Sequence, residues 1–340
     1  MYPYALIDLH CDTLTALSPE DEPLLASLRD PAQRREAASV LTSRAGVTDN
    51  TLDLPGRHFS LSAIPEGVRW CQCCAIFIPD GLAQEEAVAY YDLYQRSFHR
   101  QMAVLSDKVF PCRTAADVES AWAQGRAAAI LTVENGSALA GRLERVEVLA
   151  RDGVRMMTLT WNGENEIGSG NGTDHGLSHF GREAIRALEQ AGIWVDASHL
   201  NDKGFDGLLE TAEKPFVASH SNARTVCGHR RNLTDEQIGE MVSRRCLIGL
   251  NYYNAFLRED GLPATLDDLW RHVEHFLELG AEHCLALGSD ADGADLPSGL
   301  DSPERFAGLY AYFLDRGLSP AAAEGILWKN AFAFFKTQNI

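Results

Sequence analysis

The chain has 340 residues, 45% hydrophobic and 23% charged, an ordinary globular composition with room for one α/β barrel plus extra segments. Its formal net charge of −18 disfavours nucleic acid and anionic membranes as partners, because both call for a basic face. No apolar run approaches the roughly 20 residues of a membrane span and no signal peptide precedes the first apolar run, so the expected location is cytoplasmic.

Short apolar runs alternate with amphipathic stretches. Strands are predicted at Tyr4–His10, Cys71–Ile78, Ala127–Val133, Val154–Thr160, Ile193–Ser198, Pro215–Ser219, Cys246–Asn251 and Cys284–Gly288. Parallel strands buried on both faces read as continuous apolar runs of this kind. Their alternation with helices implies right-handed βαβ units. Eight units fit a closed (β/α)8 TIM-type barrel better than an open sheet, and residues 1–340 are taken as a single barrel domain. A segment of roughly 15–68, irregular over Glu36–Gly67, breaks the rhythm and is read as an insertion near the barrel mouth. Trp161–Leu177 (WNGENEIGSGNGTDHGL) carries five glycines and is predicted to be a flexible, functional loop after the fourth strand. Helices are predicted at Ser178–Ala191, at Thr234–Arg244 behind the capping box TDEQ, and at Thr265–Leu279 before Gly280; a closing helix, Ala321–Lys336, falls within roughly 319–337. Among the eight cysteines, Cys71, Cys73, Cys74, Cys246 and Cys284 start apolar runs, and Cys11 lies in the first motif; such residues read as small core side chains.

Five of the predicted strand ends carry ligand-type side chains. ALIDLHCDTL closes on His10 and Asp12, AAAILTVENG on Glu134, IWVDASHL on His199, PFVASHSN on His220 and CLALGSDADG on Asp290. In a strand, residues i and i+2 point the same way, so His10 and Asp12 can share one ion. Glu134 is the natural bridging carboxylate, and His199 with His220 would complete a second site. Histidine and carboxylate together suit zinc first, with cobalt or manganese as alternatives. Two ions about 3.5–4 Å apart hold and activate a bridging water as hydroxide. Asp290 could take the proton of that water and pass it to the leaving group. One histidine at a strand end is usually packing. Five strand ends of this kind would leave charges and imidazoles unpaired without metal. His58, His99, His272, His275 and His283 read as surface or helix histidines.

The chain resembles the membrane (renal) dipeptidase family, binuclear zinc dipeptidases of the amidohydrolase-like barrel group. The matching pieces are DLHCDTL (8–14), TVENG (132–136), MTLTWN (157–162), VDASHL (195–200), ASHSNARTVCGHRRNL (218–233) and GSDADG (288–293). Each alone is weak; in this order, over almost the whole chain, they are specific. The resemblance implies two Zn2+ per chain, one held by His10, Asp12 and Glu134 and the other by Glu134, His199 and His220. It implies that Asp290 handles the proton of the water and that Arg231 binds the free carboxylate of a dipeptide, a task suited to a planar guanidinium. The activity it implies is zinc-dependent dipeptide hydrolysis, including dipeptides with a C-terminal D-residue, by a homodimer. Two other readings stand beside it: another amidohydrolase activity, on an N-acyl amino acid, lactone or phosphoester, and a non-catalytic metal-stabilised binding protein. The second of these leaves Asp290 without a task.

The sequence departs from the family pattern in two places. Renal-type members carry a histidine after MTLT that polarises the scissile carbonyl; here Trp161 stands there, followed by Asn162, as in a bacterial branch. Asn162, the Trp161 indole N–H or His175 of the same loop are the candidate replacements. The signal and lipid-anchor segments of the mammalian type are also missing, so membrane attachment is not expected.

Overall fold

The computed structural model describes residues 2–17, 51–54 and 56–338. Among these, nine strands follow in chain order: β1 (Ala5–Cys11), β2 (Arg69–Phe77), β3 (Val109–Pro111), β4 (Ala127–Glu134), β5 (Val154–Thr158), β6 (Trp194–Asp196), β7 (Val217–Ala218), β8 (Leu247–Leu250) and β9 (Leu285–Leu287). Their pairings are parallel, and eight strands close on themselves in the order β1, β2, β4, β5, β6, β7, β8, β9. This is the (β/α)8 barrel expected from the sequence. The ninth strand, β3, runs beside Ala127–Ala129 of β4, and β5 takes over from Leu131 onward.

Inside the barrel, Ile7, Cys73, Ile130, Met156, Trp194, Val217, Leu247 and Ala286 join one apolar cluster with Phe332, Phe334 and Phe335. One residue from each of the eight barrel strands can meet in one cluster only at the barrel axis. The closing segment therefore plugs the end where the strands begin, with Phe335 stacked on Trp194 at 4.7 Å. A second, larger cluster packs the helices around the outside, through Tyr91 and Phe98 of helix Gln84–Val104, Ile185 and Leu188 of His179–Gln190, and Val273 and Phe276 of Leu266–Glu278. Full burial of each such side chain contributes about 1.5–3 kcal/mol. All eight cysteines are free and buried, as core residues would be.

Three predicted helices appear within a residue of their expected ends. Ser178 caps His179–Gln190, and capping boxes open Asp235–Ser243 and Leu266–Glu278. The closing helix is interrupted: Pro320–Glu324 passes through a π-turn, Gly325–Lys329, into Asn330–Thr337. Of the expected insertion, residues 18–50 lie outside the described residues; of the rest, Leu52, Phe59 and Leu61 are buried in the outer cluster. The loop after β5 differs from its flexible reading. Bridges Glu164–Ser169, Gly168–Leu177 and Gly170–Leu200 fold it onto itself and its neighbour. A side chain at Gly170 would collide with the Trp161 carbonyl, so this glycine permits close approach.

Candidate active site

The first candidate ligand pair, His10 and Asp12, depends on a bulge. Asp8 pairs with Gln72 and Cys11 with Cys74, so three steps on β1 oppose two on β2. An extra residue in one strand shifts the alternation of its side chains and re-aims them. Ile7 and Leu9 lie in the barrel cluster, yet His10 also turns inward, and Cys11 turns out to the helices. Past the bulge the i, i+2 rule resumes, and His10 and Asp12 face the same centre. Asp8, before the bulge, is buried and ties β1 to β9. It accepts hydrogen bonds from the Ser289 N–H (2.8 Å), the Ser289 hydroxyl (2.6 Å) and Gln72 (2.9 Å).

Glu134, at the end of β4, divides its two oxygens. Oε1 lies 2.8 Å from His199 Nε2 and 3.7 Å from His220 Nε2, while Oε2 lies 3.6 Å from His10 Nε2. His10 Nε2 is also 3.4 Å from Asp12 Oδ2 and 3.9 Å from Asp290 Oδ1. His199 Nε2 and His220 Nε2 stand 3.0 Å apart.

The hydrogen bonds behind these imidazoles fix their tautomers. Asp196 is buried and accepts from the Thr158 hydroxyl (2.7 Å), the N–H groups of Ser198 (3.0 Å) and Ser219 (2.9 Å), and the Ser219 hydroxyl (2.5 Å). With its single proton given to Asp196, the Ser219 oxygen must accept from His220 Nδ1, at 2.7 Å. His199 Nδ1 faces Asn162 Oδ1 at 3.1 Å, an oxygen that also receives the Asn171 amide at 2.7 Å. Both histidines thus carry the proton on Nδ1 and turn unprotonated Nε2 atoms toward each other and a carboxylate. Three Lewis bases in contact call for a cation. On the other side, His10 Nε2 and Asp12 Oδ1 are buried without a hydrogen-bond partner. His10, Glu134 and His220 form one group suited to an ion, and His10, Asp12 and Asp290 another. The residues fit a metal, and ligating histidines are held by just such outer hydrogen bonds.

Electrostatics agree with that fit. Burial, with Asp12 nearby, pushes the Glu134 carboxyl up to about 7, and burial raises Asp290 to about 6. Burial opposes a proton on His10, but Glu134 and Asp12 beside it draw its imidazole well above the ordinary value. Burial, together with nearby Arg231 and His10, holds His199 and His220 well below it. His199 and Asp290 sit at φ +74° and +61°, a left-handed backbone that costs ordinary residues roughly 1–2 kcal/mol.

The remaining candidates separate. A cavity of about 430 Å³ is lined by Asp12, Glu134, His199 and Asp290, with Phe77, Trp161, Asn162, Tyr253 and Phe256 around them. Trp161 packs edge-on against Phe77 at 4.9 Å. Asn162 lines the cavity while its oxygen holds His199. Arg231 is buried against Phe256, 5.2 Å from the ring, with Nη2 reaching the His220 carbonyl at 3.5 Å and Nε left without a partner. Burial lowers its guanidinium to about 10. His175 stands apart: its side chain is 80% exposed, and Nδ1 faces Glu164 at 3.0 Å.

Sequence reasoning missed the supporting residues Asp8, Asp196, Ser219 and Asn251. Asn251 donates to Asp290 Oδ2 at 3.0 Å and so leaves Oδ1 toward His10. Asp8, Asp196 and Ser219 lie inside the quoted motifs, each a polar residue in an apolar run. His272 is a helix residue but fully buried, accepting the Ala223 N–H through Nδ1 at 3.2 Å.

Inward histidines and carboxylates at the C-terminal ends of barrel strands define a metal-dependent hydrolase of the (β/α)8 type. The membrane dipeptidase family (peptidase family M19) matches residues 2–340, and the chain belongs to that family of metallo-dipeptidases. The crystal structure of a metallo peptidase of family M19, dipeptidase AC, is similar at TM-score 0.83 and 27% identity, over 98% of both chains. A metallo peptidase from Rhodobacter sphaeroides, solved with a phosphinate mimic of L-Ala-D-Ala, is similar at TM-score 0.82 and 25% identity, over 98% of this chain and 99% of that one. An uncharacterized protein from the pqqA 5′ region of Klebsiella pneumoniae is 32% identical over 230 residues, 64% of this chain and 85% of that protein. Of the fungal dipeptidases it matches, the chain spans about half the length, 46%, 47% and 56%.

Proposed function

We propose that the protein hydrolyses dipeptides using two zinc ions, and that it accepts a D-residue at the C-terminal position. The observation that carries this reading is the division of Glu134 between His199 and His220 on one side and His10 on the other. His10, Asp12 and Glu134 would hold one ion, and Glu134, His199 and His220 the other. When bound, zinc supplies Lewis acidity, which polarises a carbonyl and lets water give up a proton near neutral pH.

The chain's own groups account for the rest. Asp290, fixed through Oδ2 by Asn251, presents Oδ1 to take a proton from water and hand it to the leaving amine. Arg231 lies behind Phe256 of the cavity wall, and a small opening there would bring its partnerless Nε–H to the carboxylate of the substrate. A single carboxylate anchor at fixed distance from the metal ligands explains a preference for dipeptides over longer chains. The indole of Trp161 or the amide of Asn162 would then meet the carbonyl oxygen. Support for the D-residue comes from the Rhodobacter sphaeroides peptidase and its L-Ala-D-Ala mimic.

The test is hydrolysis of matched L-L and L-D dipeptides by chelator-treated protein, with and without added zinc. Zinc-restored cleavage with faster turnover of the L-D member is expected. Zinc-loaded protein that cleaves no dipeptide overturns the proposal. Arg231→Gln should raise KM for dipeptides and leave zinc content unchanged.

A further inference from the structure

A second cavity, of about 610 Å³, lies at the opposite end of the barrel. Its lining includes Tyr4, Arg69, Trp70 and Ala127, which precede or begin β1, β2 and β4, whereas the metal ligands stand where β1 and β4 end. Tyr4, 53% exposed, supplies flat apolar surface, with an edge of Trp122 beside it. Arg69, Lys108 and Arg126 supply positive charge in a chain of net charge −18.

The two arginines are underused. Arg69 lies 4.0 Å over the ring of Tyr4, and its Nη1 is buried without a hydrogen-bond partner. Arg126 donates through Nη1 to the Ser106 carbonyl (3.0 Å) and through Nη2 to Gln124 (2.6 Å), but its Nε is likewise buried and partnerless. A guanidinium N–H removed from water without an acceptor costs the full desolvation of that group, and a turn of either side chain toward the cavity would let an anion supply the acceptor. Lys108 is already paired with Asp53. The cavity's carboxylates, Glu66 and Asp107, belong to exposed residues, where water screens their repulsion. The active-site cavity is lined by Asp12, Glu134, Asp290 and Asp295 and so has the opposite character.

We propose that this cavity binds a small organic anion with a flat aromatic body, its carboxylate or phosphate held by Arg69 and Arg126 and its ring laid against Tyr4 and the edge of Trp122. The site is separate from the catalytic one and does not depend on the dipeptidase reading.

The experiment is calorimetric titration of the zinc-loaded full chain with naphthoate, with its uncharged amide, and with naphthyl phosphate. At least one of the two anions is expected to bind, and the amide at least about tenfold more weakly, the loss set by one charge-assisted hydrogen bond. Arg69→Gln and Arg126→Gln should each weaken the anion by about tenfold or more while dipeptide turnover stays at the wild-type rate. Among the described residues the Arg69 side chain makes only a ring contact, so its substitution tests the site even if loss of the Arg126 bonds disturbs the fold. Dissociation constants weaker than about 1 mM for both anions, equal binding of naphthoate and amide, or indifference to both substitutions overturns the proposal. So does competition with dipeptide that Arg69→Gln leaves unchanged, because the probe would then be in the active site.

Discussion

Ser219→Ala removes one hydroxyl that joins Asp196 to His220 and never faces the cavity. The oxygen makes two buried hydrogen bonds, 2.5 Å to Asp196 Oδ2 and 2.7 Å to His220 Nδ1. A bond to a carboxylate is worth about 1.5–3 kcal/mol and a neutral one about 1, so the pair sets a ceiling of roughly 4 kcal/mol. Asp196 keeps the Thr158 hydroxyl and two backbone N–H donors, so its charge stays satisfied and the cost should fall near about 2 kcal/mol. His220 is hit harder. Its Nδ1–H loses its acceptor, nothing then selects the tautomer with a bare Nε2, and metal affinity should drop about 10–100-fold. The assay is competition for zinc against a chromogenic chelator, with unfolding followed in chelator and in zinc. Wild-type zinc affinity in a variant destabilised as expected would refute the role given to Ser219, for the hydroxyl would then support the barrel without orienting the histidine.

Three further outcomes are expected. Gly293→Ala places a methyl group against Asp12 Oδ2 and 2.8 Å from Asp290 Oδ1, so zinc content and turnover should fall together while circular dichroism stays native. In metal-free protein, Glu134 titrates near 7 against an ordinary 4.5, so the fold binds more protons than the unfolded chain between these values. Its contribution to stability is present below about pH 4.5 and lost as pH rises through 7, so in chelator the unfolding midpoint of the wild type relative to Glu134→Gln should fall across that window; a difference that climbs contradicts the placement of Glu134. His175→Ala should leave turnover at the wild-type level, because that side chain is exposed and faces Glu164; a large fall in kcat at normal zinc content would bring it back as a carbonyl partner.

The barrel and the cluster of candidate ligands were legible for one reason: each barrel strand is an apolar run, and five such runs stop at a histidine or carboxylate. The three helices placed within a residue open on a Ser or Thr cap, and two of them stop at a glycine, Gly192 and Gly280. Helix Gln84–Val104 went unpredicted although Tyr90, Tyr91, Tyr94 and Phe98 mark its buried stripe, because its polar face dilutes the pattern. β3 is three residues long and too short to show a period. The partners of the histidines were hidden for another reason. Asp196 and Ser219 are local in sequence, but their bonds join neighbouring strands, and which polar atom meets which depends on register.

The bulge in β1 makes the chemistry of this chain a matter of parity. Leu9 and Cys11 are both apolar, so either face of the strand end could pack against the barrel, and composition does not choose. One residue more than β2 needs turns His10 and Asp12 toward Glu134. The same residues drawn into a regular strand, with no bulge after Leu9, would aim Cys11 at the axis and His10 and Asp12 at the helices. The chain would keep its apolar content and its eightfold closure, yet half of the ion-binding set would be gone in one step.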